Sequence, residues 1–200
     1  MGVFTSDLAS TEPPSGRGHH ENGPDHGSRS AGIGDEAALA RVQGEVRRMK
    51  IDPNRKSRLK GFGERIGYPL SEAQWVEARK IAMEPDVEVL SLARQLGRDR
   101  LVGMFTNNPW LLKRHIAEVF PAVLEIFGAR ASFSAELGKA KPDPEGYRRL
   151  AERLEVAPEE IIYFDDDEPL VMGARAAGLS AYRVGGVAAV RAGLAAHGLA

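Results

Sequence analysis

Asp165, Asp166, Asp167 and Glu168 stand in a row directly after the apolar run Ile161-Ile162-Tyr163-Phe164. Carboxylates at the end of a buried strand put negative charge at the carboxyl edge of a sheet, where α/β proteins bind their ligands. Clustered carboxylates repel one another, and a hard divalent cation with oxygen ligands, typically magnesium, relieves that repulsion. The same residues also suit a helix start. Acids favour the positive end of a helix dipole, and Pro169 suits the first turn. The row by itself does not choose between a metal site and a helix cap.

Two upstream segments add chemistry in a consistent order. The apolar run Leu101-Val102-Gly103-Met104-Phe105 ends in Thr106-Asn107-Asn108-Pro109. A hydroxyl and an amide at a strand end can hold a phosphate oxygen, although either also caps the helix that begins near Trp110. Further on come Gly138-Lys139-Ala140-Lys141-Pro142-Asp143-Pro144 and then Tyr147. A residue before proline is extended rather than helical, so Lys141 can point its ammonium at the same edge. Any one lysine is more often simply solvated. The order and spacing of the three segments carry the signal.

Thr106-Asn107-Asn108, Lys141-Pro142-Asp143-Pro144 and Phe164-Asp165-Asp166 resemble motifs II, III and IV of the haloacid dehalogenase (HAD) superfamily. Gly173-Ala174-Arg175-Ala176-Ala177-Gly178-Leu179 follows the acids at the family's usual distance, and Leu170 stands where many relatives carry Asn. The resemblance spans about residues 64 to 185, in the style of the small helical-capped phosphatases. It implies a Rossmann-like parallel sheet with helices on both faces and a small all-α cap. It also implies Mg2+ as cofactor, a small phosphorylated substrate and phosphoryl transfer through an aspartyl-phosphate. Carried over residue by residue, Thr106 and Lys141 would act on the phosphoryl group together with Asn107. Asp165, then Asp166, would hold the metal.

The family's first motif, an apolar strand ending in Asp-x-Asp-x-Thr or Val, has no clean copy. Val3-Phe4-Thr5-Ser6-Asp7-Leu8-Ala9-Ser10-Thr11 fits it in two imperfect registers. In one, Asp7 is the nucleophile and a metal ligand, Thr11 matches, and Ala9 replaces the general acid. In the other, Asp7 is the acid and Thr5 occupies the nucleophile's place, which would abolish covalent catalysis. A third reading makes residues 1–11 a polar tail. The motif I strand is central in the family, so a tail there would leave ladder groups of the sheet unpaired. Besides an active phosphatase, two alternatives therefore stay open: a binding protein that cannot turn over, and a chain truncated or started out of frame.

These residues need a scaffold, and the rest of the chain supplies one. Residues 12–34 are rich in Gly, Pro, Ser and His with almost nothing apolar, which predicts disorder. His19, His20 and His26 within it have no scaffold to pre-position them for a metal. Leu39, Val42, Val46 and Met49 recur at helical spacing, and Ser71-Glu72-Ala73-Gln74 announces a second helix that carries Trp75. Together they predict a helical cap over 35–84, with Arg65 and Tyr68 as pocket candidates and Trp75 as packing. From 85 to 200 alternating strands and helices predict a parallel α/β core: helices over 87–96, 110–119, 144–154, 170–177 and 187–197, with strands near 131–133 and 180–184.

Of the 200 residues, 27 are basic and 28 acidic, a net charge of -1 that makes no electrostatic case for nucleic acid or an anionic membrane. With no cysteine there is no disulfide scaffold, thiolate zinc site or thiol nucleophile. No apolar run approaches the ~20 residues of a membrane helix, and no signal peptide is evident, so a cytoplasmic location is expected.

Overall fold

Side chains alternate across a strand with a period of two, and the short apolar runs use both faces. The computed structural model describes residues 2–4, 70–83 and 85–199. They hold a five-stranded, wholly parallel sheet. Its strands are β1 (Gly2–Phe4), β2 (Val102–Thr106), β3 (Ala131–Phe133), β4 (Ile162–Asp165) and β5 (Ser180–Arg183), in the order β3-β2-β1-β4-β5. Gly2–Phe4 is therefore sheet rather than polar tail. β1 occupies the middle, with Val3 level with Gly103 on one side and Tyr163 on the other.

Eight α-helices are present among the described residues. They are α1 (Glu72–Ala82), α2 (Val87–Leu96), α3 (Trp110–Val119), α4 (Pro121–Phe127), α5 (Ser134–Leu137), α6 (Pro144–Leu154), α7 (Glu168–Ala176) and α8 (Val187–Ala195). Local chemistry sets their starts. Ser71 and Gln74 form the expected capping box at α1, and the Asp86 carboxylate caps α2. Asp143 caps α6, with Pro144 in its first turn.

The helices cover the sheet as two outer layers. Val102, Met104, Ile162 and Phe164 face α1, α2, α3, α4 and α8, meeting Trp75, Leu92, Leu112 and Leu194 among others. Phe105 and Tyr163 face the other way, onto α5, α6 and α7 with Tyr147, Leu150 and Val171. α1, placed by its sequence at the end of the cap, packs against α3, and its Trp75 is buried in the apolar cluster of that face. Two glycines permit close approach. A Cβ on Gly173 of α7 would lie 2.1 Å from the Pro142 carbonyl oxygen, and one on Gly193 of α8 would lie 2.6 Å from the Phe164 ring. The remainder of the 35–84 cap with Arg65 and Tyr68, residues 12–34 with their histidines, and Asp7 all lie outside the described residues.

Candidate active site

Parallel strands present all their carboxyl ends at one edge, and two of the predicted site residues end strands there. Thr106 is the last residue of β2 and Asp165 the last of β4. β1 lies between them and ends at Phe4, level with Met104 and Phe164. Lys141 arrives on the loop between α5 and α6, and its peptide bond to Pro142 is cis.

Lys141 and Asp165 form the centre of the site. The lysine Nζ donates to Asp165 Oδ2 at 2.8 Å, with the two side chains 4% and 1% exposed. Asp165 Oδ2 also accepts from the Tyr163 hydroxyl at 2.7 Å, and Oδ1 accepts from the Asp167 backbone N–H at 3.2 Å. Burial pushes the Asp165 carboxyl up. The positive charge of Lys141 and these hydrogen bonds outweigh that push and hold it below the usual carboxylate range. The carboxylate is thus kept ionised in a place with almost no water. Lys141 Nζ also lies 5.7 Å from the Phe105 ring centroid and 5.9 Å from that of Tyr163. Tyr147 meets both rings edge-on, at 5.6 and 5.3 Å. This aromatic wall leaves the ammonium little room to move.

The main chain of Lys141 is fixed as firmly as its side chain. Asn107 Nδ2 donates to the Lys141 carbonyl at 2.9 Å, and the Lys141 N–H donates to Asn107 Oδ1 at 2.9 Å. Both polar ends of the Asn107 side chain therefore bond to the Lys141 main chain. The amide is a clamp between the Thr106 loop and the Lys141 loop, and its second N–H and second lone pair leave room for the substrate contact expected from the sequence. Thr106 is buried, and its hydroxyl accepts a hydrogen bond from the Asn108 side chain. Asp166, one residue past β4, is exposed, and its carbonyl accepts from Arg183 Nε at 3.1 Å. His115, on α3, pairs with Glu72 at 2.6 Å and takes no part in the site.

The structure thus brings Lys141 and Asp165 into contact, ties both to the Thr106 loop through Asn107, and places Asp166 alongside. Sequence reasoning missed the Tyr163 hydroxyl and Asn108. Tyr163 was read as strand apolar filling, and its position two residues before Asp165 was the available signal: side chains at i and i+2 share one face of a strand. Among the described residues no three His, Cys, Asp or Glu side chains group as metal ligands.

A parallel sheet whose motif-bearing strands flank a central first strand defines a Rossmann-like α/β core, and the sequence assigns it further. The family model of haloacid dehalogenase-like hydrolases matches residues 15–178, and the chain belongs to that family. A phosphatase of Mycobacterium tuberculosis (strain CDC 1551 / Oshkosh), named Phosphatase MT3486, is 39% identical over 83 residues, which are 42% of this chain and 38% of that protein. The chain therefore matches well under half the length of this relative.

Among solved structures, a HAD family enzyme of Bacteroides thetaiotaomicron in complex with magnesium and inorganic phosphate shares the fold. Its TM-score is 0.56 at 19% identity, covering 78% of this chain and 88% of that one. A HAD-like family hydrolase of Porphyromonas gingivalis gives a TM-score of 0.58 at 18% identity, covering 74% and 82%. No helix among the described residues is long and apolar enough to cross a membrane.

Proposed function

We propose that this protein is a magnesium-dependent phosphatase that transfers the phosphoryl group of a small phosphorylated metabolite to a carboxylate and then to water. The observation that carries this reading is the buried Lys141–Asp165 pair, clamped through Asn107 to the loop that presents Thr106. Phosphoryl transfer demands little covalent chemistry from a protein beyond the nucleophile. It depends on positioning and on charge stabilisation of the equatorial oxygens. Thr106 would donate its hydroxyl hydrogen to one such oxygen, and the Lys141 ammonium would neutralise others.

Asp7 is the proposed nucleophile. Its carboxylate oxygen would form a bond to phosphorus as the ester oxygen departs. Water would then cleave the resulting acyl phosphate and release inorganic phosphate. Ala9 supplies no general acid, so ester oxygens that leave without a proton would react best. The carboxyl groups of Asp165 and Asp166 are hard oxygen donors at this edge and suit magnesium, with Asp7 as a further ligand. When bound, the ion would screen the charge between phosphate and carboxylates. The relatives support this reading, since one is named a phosphatase and another binds magnesium and phosphate.

One observation favours an alternative. Phe4 is level with Phe164, the residue before Asp165, and the next residue in the chain is Thr5 rather than an acid. On that count the protein would bind phosphate and magnesium without forming the covalent intermediate.

Magnesium-dependent release of nitrophenol from p-nitrophenyl phosphate separates the two. Turnover abolished by both Asp7→Asn and Asp165→Asn supports the phosphatase with Asp7 as nucleophile. Turnover that survives Asp7→Asn removes that residue from its role. A folded wild type that binds magnesium and phosphate without turnover identifies the alternative.

A further inference from the structure

Asn108 and Arg79 have no part in the chemistry described so far, yet together they reach the Thr106 hydroxyl. Resting on the reading of Thr106 as a donor to a phosphoryl oxygen, we infer that Arg79 and Asn108 are positioning residues that fix the direction of the Thr106 hydroxyl hydrogen.

A guanidinium has donors and no acceptor. Arg79, on α1, places its Nη2 3.3 Å from Asn108 Oδ1, so the amide oxygen must face α1. The amide nitrogen is then turned toward Thr106 and donates to its Oγ1. A hydroxyl has one hydrogen and two lone pairs. With a lone pair occupied by Asn108, Thr106 keeps its hydrogen for another partner. Were the amide reversed, Thr106 would spend that hydrogen on the amide oxygen and present only lone pairs to an anion.

The remaining contacts hold this relay in place. The Asn108 N–H donates to the Thr106 carbonyl at 3.0 Å. The Ser134 hydroxyl donates to the Asn108 carbonyl at 3.4 Å. The Arg79 guanidinium lies 5.8 Å from the centroid of the buried Trp75 ring. Asn108 itself is 7% exposed. α1 thereby acts on the Thr106 loop through a chain of two side chains.

The test is a double-mutant cycle on full-length protein, read as kcat for p-nitrophenyl phosphate with magnesium and as the inhibition constant of inorganic phosphate. Thr106→Val removes the donor and lowers kcat on the order of 10²-fold. Asn108→Leu frees the hydroxyl to rotate and lowers kcat about 10-fold. In the Thr106→Val background Asn108→Leu changes kcat less than about twofold, because the hydroxyl it directs is gone. Arg79→Lys, which keeps a donor, recovers most of the activity lost in Arg79→Leu.

Effects of Asn108→Leu and Thr106→Val that simply multiply would overturn the inference while leaving an active phosphatase standing. A wild type that neither hydrolyses the ester nor binds phosphate would remove the phosphatase reading and this inference with it. If Asn108→Leu does not give a cooperative melt, the Arg79→Leu and Arg79→Lys pair takes its place in the same cycle.

Discussion

Removing the Lys141 ammonium isolates the energetics of the site from its chemistry. In Lys141→Met the unbranched side chain is kept as far as the ε position and the charge is lost. Asp165, fully buried, is then left with only the Tyr163 hydroxyl and the Asp167 N–H among the donors described above. Deleting one partner of a buried ion pair costs about 3–5 kcal/mol. Two surviving hydrogen bonds place this case near the lower end, about 3 kcal/mol. For a domain of this size each kcal/mol moves the melting temperature by about 2–4 °C, so Tm should fall by about 6–12 °C. Thermal melts followed by circular dichroism in EDTA give the value without metal contributions. The double variant Lys141→Met/Asp165→Leu removes both charges and should recover much of the loss, since an apolar pair can replace a buried ionic one. The reasoning fails if Lys141→Met melts within about 2 °C of wild type. It fails equally if the double variant loses the sum of the single losses.

The close approaches at α7 and α8 give a second expectation. Alanine is favoured over glycine in helices by about 1 kcal/mol, yet Gly173→Ala would drive a methyl into the Pro142 carbonyl. It should destabilise by about 2 kcal/mol net and displace the neighbouring Lys141, so activity falls with Tm. Gly193→Ala meets the Phe164 ring instead, costs about 1 kcal/mol and spares kcat. Equal stability of Gly173→Ala and wild type in urea titrations would contradict this. Tyr147 supplies a pH dependence. Burial, and then the charge of Asp165, push its phenol up from 10.0. The unfolded chain therefore loses this proton first as pH rises past about 10, and the folded state loses stability there. Tyr147→Phe forfeits the 2.6 Å bond to the Leu170 carbonyl, about 1 kcal/mol at neutral pH. Its stability should nonetheless fall less steeply above about pH 10. Parallel alkaline profiles for the two proteins would refute the assignment.

Elements with strong local signals were legible in the sequence, and those that depend on distant partners were not. α6 was predicted over its full length because Asp143 and Pro144 mark its start, and α2 and α3 followed from apolar periodicity. α4 was missed. Its start, with Pro121 in the first turn, follows α3 so closely that a periodicity reading ends at Val119 and finds no new onset. β1 drew a divided reading because only Val3 and Phe4 are clearly apolar, whereas central parallel strands usually show longer apolar runs. Its place is set by pairing on both sides rather than by its own composition.

In the site, the convergence of Lys141 and Asp165 was legible from motif order. The commitment of Asn107 to the Lys141 main chain and the reach of Arg79 to Asn108 were not. Both are contacts between residues about thirty positions apart, which no local pattern encodes. The motif I residue Asp7 and most of the predicted cap lie outside the described residues.

The place of β1 has a consequence for how this chain is made. The strand that joins the two halves of the sheet leaves the ribosome before its partners Val102–Met104 and Ile162–Phe164, which emerge long afterwards. β2 can join β1 as soon as it emerges, but the other side of β1 stays open until β4 follows. The nascent sheet thus keeps an open seam between β1 and β4 until most of the chain is made. Closing that seam late carries the loop-closure entropy of most of the chain. The three residues of β1 thereby decide when assembly becomes cooperative.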